Sequence, residues 1–268
     1  MKLILKSLGY KKKQVTKAPV QAGGHPDVIR FEKDGTLLKF MRAERDEEAQ
    51  FYEAIKDSAP LNEFCPKYLG QIKEGENLYI RMENIYFELT QPGYIDIKLG
   101  ENYHDHESAE AIASKIKKQE KSTRRELAFC VCGSTHYHAD GTRSEFDLRA
   151  KPIKPIWKPM LNDFLITFLK SSGRSEMNMK ALEFYINKMK QILAYVDGGS
   201  NPWYFISASM FLVLSNTEDK YNLKMIDFGK VRELKDFDKP KDTRFIQGLT
   251  NVLQWFEEVR DLQKPKIK

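Results

Sequence analysis

The run Tyr94-Ile95-Asp96-Ile97-Lys98-Leu99, opened by Pro92-Gly93 and closed by Gly100, constrains the fold of this chain more than any other stretch. Successive side chains of a strand point to opposite faces. Ile95, Ile97 and Leu99 therefore make one apolar face, and Asp96 and Lys98 leave the other face together. Such a strand needs a core on one side and an outlet for two opposite charges on the other. Gly100 lets the chain turn there and leaves room for a close approach to the backbone. Two readings fit the spacing. One is a surface ion pair on an amphipathic strand. The other is an acid and a base set side by side, the carboxylate to accept a proton and the ammonium to neutralise an anion.

The rest of the chain supplies a frame for that strand. Val28–Phe31 and Leu37–Met41 flank Lys33-Asp34-Gly35, a hairpin signal. Residues 44–58 favour helix, with Phe51, Tyr52 and Ile55 on one stripe, and Pro60 ends it. Tyr68–Ile72 and Leu78–Met82 read as two more strands around a turn at Glu74-Gly75-Glu76-Asn77. A basic helix is expected from Ser108 to Lys121. Ala128–Tyr137 alternates like a strand, and Asp140-Gly141 marks a turn. Pro152, Pro155 and Pro159 make an irregular link. Helices are expected at Met160–Lys170 and Ser175–Tyr195, then strands at Phe205–Leu214 and Leu223–Ile226. A last helix starts after Asp242 as N-cap, its stripe running through Phe245, Leu249, Val252, Phe256 and Val259. The expected class is α+β: a small β-rich lobe over residues 1–83 and a larger mixed lobe over residues 84–268. Ala22-Gly23-Gly24 is a permissive stretch, and Lys11-Lys12-Lys13 reads as solvated.

With 268 residues, 41% of them hydrophobic, the chain can bury a real core. No stretch is long and apolar enough to cross a bilayer, and the first residues lack a signal-peptide core. Cys65, Cys130 and Cys132 do not make a disulfide framework, which points to a reducing cytoplasmic or nuclear compartment. The net charge of +6 suits an anionic partner: nucleic acid, an anionic membrane surface or a small polyphosphate.

Further residues carry candidate chemistry. Ile226-Asp227-Phe228-Gly229 ends an apolar strand with a carboxylate. Asp227 is either a metal ligand facing nucleotide phosphates or the start of a turn. Lys39, between Leu38 and Phe40, either faces phosphates or sits on a solvated face, with Glu47 and Glu48 as ion-pair partners. Lys115, Lys117, Lys118, Lys121, Arg124 and Arg125 outnumber Glu120 and Glu126. They read as a solvated helix or as a cationic patch for a polyphosphate or a nucleic-acid backbone. The patch lacks interleaved aromatics, which weakens a single-strand nucleic-acid reading. Cys130-x-Cys132-x₃-His136-x-His138 departs from standard zinc spacing, and cysteines on a buried strand face are ordinary. There is no Gly-x-x-x-x-Gly-Lys-Ser/Thr loop and no His-Arg-Asp loop, which disfavours P-loop enzymes and ordinary protein kinases.

Pro92–Gly100 fits the Pro-x-x-x-Asp-x-Lys-x-Gly signature and so resembles the inositol polyphosphate kinase family. Other segments agree in order: Glu83-Asn84 with the family's hinge, Ser207-Ala208-Ser209-Met210 with its serine segment, Ile226-Asp227-Phe228 with its Ile-Asp-Phe motif, and Asp242 to Leu249 with Asp-x-x-Phe-x-x-Gly-Leu. The likeness spans residues 24–256. It implies a two-lobed fold related to protein kinases, with ATP between the lobes. Glu83, Asn84 and Ile85 would meet the adenine, Lys39 the phosphates, and Asp227 a Mg²⁺ ion with help from Ser209. Asp96 and Lys98 would be catalytic, Asp96 lying between nucleotide and acceptor and Lys98 touching the transferred or substrate phosphates. Lys115, Lys118 and Lys121, in the basic segment 101–127, and Lys230 would bind the inositol phosphate. Glu120-Lys121-Ser122-Thr123 followed by Cys130-Val131-Cys132-Gly133 looks most like the inositol hexakisphosphate kinases. That subfamily makes a diphosphoinositol product. An enzyme phosphorylating ring hydroxyls and a non-catalytic inositol-phosphate binder are the alternatives. A monomer without nucleic-acid partners or stable membrane insertion is expected. Glu101-Asn102, Gly229 and Met210 depart from the family pattern, and the first departure bears on substrate choice.

Overall fold

The computed structural model describes residues 11–13, 28–41, 46–104, 106–120, 122–147 and 160–262. The proline-containing link, the Ala22-Gly23-Gly24 stretch, Lys121 and Pro26 lie outside them. A four-stranded antiparallel sheet is built from β2 (Ile29–Phe31), β3 (Thr36–Met41), β4 (Tyr68–Glu74) and β5 (Asn77–Glu83), in the order β2-β3-β5-β4. Helix α1 (Glu47–Ile55) packs against it. Asp46 caps this helix by accepting from the N–H groups of Glu48 and Ala49. The order strand, strand, helix, strand, strand is thus present as expected. A short helix, α2 (Leu61–Phe64), follows α1.

The second sheet has six strands in the order β1-β8-β7-β6-β10-β11. These are β1 (Lys11–Lys13), β6 (Gly93–Leu99), β7 (Phe129–Tyr137), β8 (Arg143–Asp147), β10 (Ser209–Ser215) and β11 (Lys220–Ile226). The triple-lysine run is therefore an edge strand, with Lys12 opposite Ser144 on β8. It pairs with the larger sheet although it precedes the smaller one in sequence. Neither β1 nor β8 has an apolar period of its own.

Between β6 and β7 lie α3 (Ala109–Gln119) and a separate turn of helix, α4 (Arg124–Leu127). The helix expected from Ser108 to Lys121 is thus present as α3, with Ser108 as its N-cap, while Arg124 and Arg125 fall on the separate turn α4. After β8 come α5 (Leu161–Leu169) and α6 (Met179–Asp197). Helix α6 starts four residues later than its propensity suggests. Asn178 caps it through Ala181 N and ties Nδ2 to Asn216, so the cap is fixed by a tertiary partner. A small ribbon pairs β9 (Trp203–Tyr204) with β12 (Arg232–Glu233), and a 3₁₀ turn covers Leu234–Phe237. The last helix, α7 (Thr243–Asp261), begins after Asp242, as its cap predicts.

Strand β6 is central to the large sheet and every residue of its apolar face is fully buried. One contiguous core joins that face to α5, α6 and α7, and extends through Phe51, Tyr52, Ile80 and Met82 into the small sheet. Helix α7 approaches the end of β6 closely. A Cβ on Gly248 would sit 2.4 Å from Ala128 O, the oxygen that accepts the Gly100 N–H at 2.9 Å. Gly100 itself has φ +61, and a Cβ there would meet Phe245 N at 3.2 Å. The glycine of the Pro92–Gly100 run and the glycine of the last helix are thus two sides of one contact.

Candidate active site

Residues far apart in sequence meet where the two sheets face each other. Lys39 lies mid-strand on β3, opposite Ile29 and Ile80. Its Nζ reaches Glu48 of α1 at 2.7 Å and Asp227 at 3.2 Å. Lys98 Nζ donates to the other oxygen of Asp227 at 2.6 Å, to Ser209 Oγ at 3.0 Å and to Ser207 O at 3.3 Å. One carboxylate is therefore held between two ammonium groups. Glu47, the other partner expected for Lys39, instead pairs with Arg232 at 2.6 Å.

Desolvation works against the charge of Asp227, but Lys98 and Lys39 outweigh it and hold its carboxyl far below the usual range. Desolvation likewise disfavours the ammonium of Lys98, yet Asp227 and Asp96 keep it charged well above its ordinary pKa. Lys39 is held up in the same way by Glu48 and Asp227. Asp227 has φ +68, an uncommon conformation for a residue with a side chain. That turn separates the carboxylate from Phe228, which is fully buried against Phe51 with ring centroids 4.3 Å apart. The Phe228 N–H points to Glu48 at 3.4 Å, so strand end, helix and lysine share one polar node.

Asp96 and Lys98 share a face, as the alternation requires. Asp96 is only 4% exposed, opposite Phe211 on β10 and Gly133 on β7. Ser209 faces Lys98 across one ladder and Ile226 across the other. The cleft leading to this node is lined by Phe31, Leu37, Met82, Ile85, Phe211 and Ile226, with Lys39, Glu48 and Asp227 at its polar end. Glu83 also borders it. Asn84 is buried and works within the turn: its N–H donates to Gly35 O at 3.0 Å and its Oδ1 accepts from Tyr86 N at 3.0 Å. The Glu83 N–H is taken by Lys67 O at 2.9 Å.

The expected cationic patch needs correction. Arg124 is buried and donates to Gly100 O at 2.6 Å, Leu99 O at 3.0 Å, Glu101 O at 2.9 Å and Ser207 Oγ at 3.3 Å. Through Nε and Nη2 it ties the end of β6 to Ser207, just before β10. Arg125 pairs with Glu120, and Lys115 pairs with Glu107. Lys117 and Lys118 are exposed, and Lys230 is exposed beside Asn102 O at 3.5 Å. Glu101, the departure beside the glycine, is a hub. Its carboxylate accepts from Arg244 of α7 at 2.6 Å and from Gln119 of α3 at 3.0 Å. Sequence reasoning names Glu101 and Ser207 without their roles and misses Gln119 and Glu107; the Arg244 and Arg124 partners of the first two come from distant elements, whereas Glu107 meets His104 and Lys115 within eight residues. In the cysteine and histidine pairs, Cys130 Sγ lies 3.6 Å from Cys132 Sγ, and His138 Nε2 bonds Ser144 Oγ at 2.7 Å. Among the described residues no group of three or more His, Cys, Asp or Glu side chains is arranged to hold a metal, and no helix is long and apolar enough to cross a membrane.

Residues 79–257, about two thirds of the chain, match the profile of the family described as inositol polyphosphate kinase. The chain belongs to that family. It is 22% identical over 227 residues to inositol hexakisphosphate kinase 3 of Mus musculus, a match covering 76% of this chain and 55% of the relative. The Homo sapiens protein of the same name is 22% identical over 237 residues, covering 76% and 56%. Inositol polyphosphate multikinase of Saccharomyces cerevisiae is 24% identical over 160 residues, covering 42% and 44%. The chain thus spans about half the length of the curated relatives it matches. Its fold is that of a solved S. cerevisiae inositol phosphate multikinase in complex with ADP and Mn²⁺, with TM-score 0.69 and 20% identity over 82% of this chain and 98% of that one.

Proposed function

We propose that this chain is an ATP- and Mg²⁺-dependent inositol polyphosphate kinase whose acceptor is inositol hexakisphosphate, giving a diphosphoinositol pentakisphosphate. The observation that carries phosphoryl transfer is Asp227, held between Lys39 and Lys98 at the polar end of an apolar cleft. In this reading the adenine lies in the cleft against Ile85 and Met82, beside the Glu83–Ile85 turn. Lys39 neutralises the nucleotide phosphates, as a strand lysine does in related kinases.

The donor set suits Mg²⁺. That ion takes one or two carboxylates and completes its shell with waters and substrate phosphates. Asp227 supplies a carboxylate whose side chain is 39% exposed, and the Ser209 hydroxyl lies on the same node through Lys98. Bound there, Mg²⁺ with the nucleotide would neutralise charge developing on the transferred phosphoryl group. Lys98 would then turn from Asp227 toward the transferring group. The acceptor oxygen forms the new P–O bond as the bond to the ADP oxygen breaks.

The acceptor distinguishes the readings. A phosphate oxygen of the hexakisphosphate is already ionised and needs no base, whereas a ring hydroxyl gains from one. Asp96 is buried and acts on Lys98 electrostatically, which supports an orienting role and so a phosphate acceptor. The likeness to the hexakisphosphate kinases over 76% of the chain points the same way. Transfer to hydroxyls, as the name of the multikinase relative suggests, is the second reading. It is favoured by the acids Glu101 and Glu107, which lower the positive charge on the acceptor side. A purely binding role leaves the Asp227 node without a use, because phosphate recognition alone calls for no carboxylate.

The test is a product assay with Mg-ATP and a panel of inositol phosphates. Turnover of the hexakisphosphate to a diphosphate is expected. Transfer confined to free hydroxyls would reject the acceptor assignment alone. No transfer to any member by a folded sample would reject the kinase.

A further inference from the structure

One carboxylate lies inside the cationic cluster of the acceptor side. Glu107, at the entry to α3, is 14% exposed and ion-pairs with Lys115. Its other oxygen accepts the His104 N–H at 3.3 Å and lies 3.7 Å from His104 Nε2. Lys230 joins from the segment after Asp227. Although Lys230 is exposed, desolvation of its ammonium by the surrounding protein and the neighbouring Lys115 both depress its pKa, and Glu107 opposes them. Arg232 lies near enough to His104 to disfavour its protonation, after burial. Cations gathered this closely repel one another unless an anion lies among them. In the acceptor-free protein Glu107 supplies that anion.

The cluster is also near the reacting groups. Lys230 follows Asp227 by three residues, so the chain allows a separation of at most about 11 Å between their backbones. Phosphates of an acceptor reaching Lys98 would also come near Lys115, the cation that Glu107 holds.

We propose that Glu107 is an internal competitor for substrate phosphate: it occupies Lys115 and the His104 N–H in the resting protein and yields them to a phosphorylated acceptor, limiting the affinity of that acceptor. The inference rests on the kinase reading above. It makes Glu107 a specificity residue, since an acceptor lacking a phosphate at that position has nothing to displace.

Glu107→Gln keeps the shape and removes the charge. Its dissociation constant for inositol hexakisphosphate, measured by calorimetry without ATP, should fall about fivefold, the scale of one competing part-buried charge. The KM for the hexakisphosphate should fall in step, and the KM for ATP should not. Glu107→Asp, which keeps the charge, should give an affinity between the two. Lys115→Met should weaken acceptor binding. An unchanged or weaker acceptor affinity in Glu107→Gln, at wild-type melting temperature, overturns the proposal and leaves Glu107 as a prop for Lys115. Wild-type protein that binds and turns over no inositol phosphate would overturn the kinase reading itself. Wild-type binding with an unaltered Glu107→Gln variant overturns this inference alone.

Discussion

Asp242 joins two distant segments through one carboxylate. One oxygen caps α7 at the Phe245 N–H, 3.0 Å away, and the other accepts the Phe205 N–H at 2.7 Å. The residue is 2% exposed. Burial pushes its carboxyl up to about 7 from an ordinary 3.8, against the pull of both N–H groups. Between those values the native state holds a proton that the unfolded state releases. The resulting stabilisation is fully present below about pH 4 and is lost as the pH rises to about 7. Asp242→Asn has no such dependence. The wild-type advantage over it in unfolding free energy, read by urea denaturation, should therefore shrink across this window, by on the order of 4 kcal/mol at most, and stay level above it. An advantage growing with pH would mean that the two N–H groups govern the carboxylate. Asp227 gives a second prediction at this scale. Asp227→Ala should lower turnover at least about 100-fold, as loss of a charge-stabilising group does, while far-UV circular dichroism stays native. Near-normal rates would remove Asp227 from the phosphoryl-transfer site. Asp96, Lys98, Lys39 and Asp227 were legible as charged breaks in apolar runs. That Lys39 and Lys98 share Asp227 was not, because 188 residues separate the first pair and 129 the second.

Elements were legible where the cause is local and obscure where it is tertiary. The Asp34-Gly35 hairpin, the strand alternation of β6 and the Asp242 cap each lie within a few residues. The start of β10 does not. The apolar run begins at Phe205, but the strand begins at Ser209, because Ser207 adopts φ +64 and gives its N–H to Glu101 O. Arg124 is the clearest case. In sequence it is one more cation beside Arg125, yet the fold spends it on backbone carbonyls at the end of β6. A buried arginine serving carbonyls leaves no periodic mark. The packing of α7 on that strand end gives a prediction. Gly248→Ala would gain helix propensity, but its Cβ would press on Ala128 O, a backbone atom that cannot rotate away. Overpacking of this kind costs about 1–3 kcal/mol. Urea denaturation should report a loss of that size, and a stabilised variant would mean that α7 can withdraw from β6 without cost.

At the scale of the whole molecule, the small sheet shares one core with the large one among the described residues. Phe51 and Tyr52 of α1 pack on Phe228, and Phe51 also meets Trp203 and Phe205. Ile80 and Met82 belong to the same apolar cluster as Ile95, Phe129 and Val252. The polar bridge Glu48–Lys39–Asp227–Lys98 runs over the top of that cluster and links both sheets. Opening the cleft would expose Phe228 and leave Asp227 with one lysine fewer. The two lobes proposed over residues 1–83 and 84–268, the first of which already lends β1 to the larger sheet, should therefore unfold together. Calorimetry of the ligand-free protein should give one cooperative transition with matching calorimetric and van't Hoff enthalpies. Phe228→Ala removes the ring that both lobes share and costs about 3–5 kcal/mol. It should lower that transition and split it, because the small sheet then keeps its hydrogen bonds but loses its anchor. Two transitions in the wild-type protein would mean that each lobe is stable by itself, and that the bridge at Asp227 is an encounter between independent units and not part of one folded body.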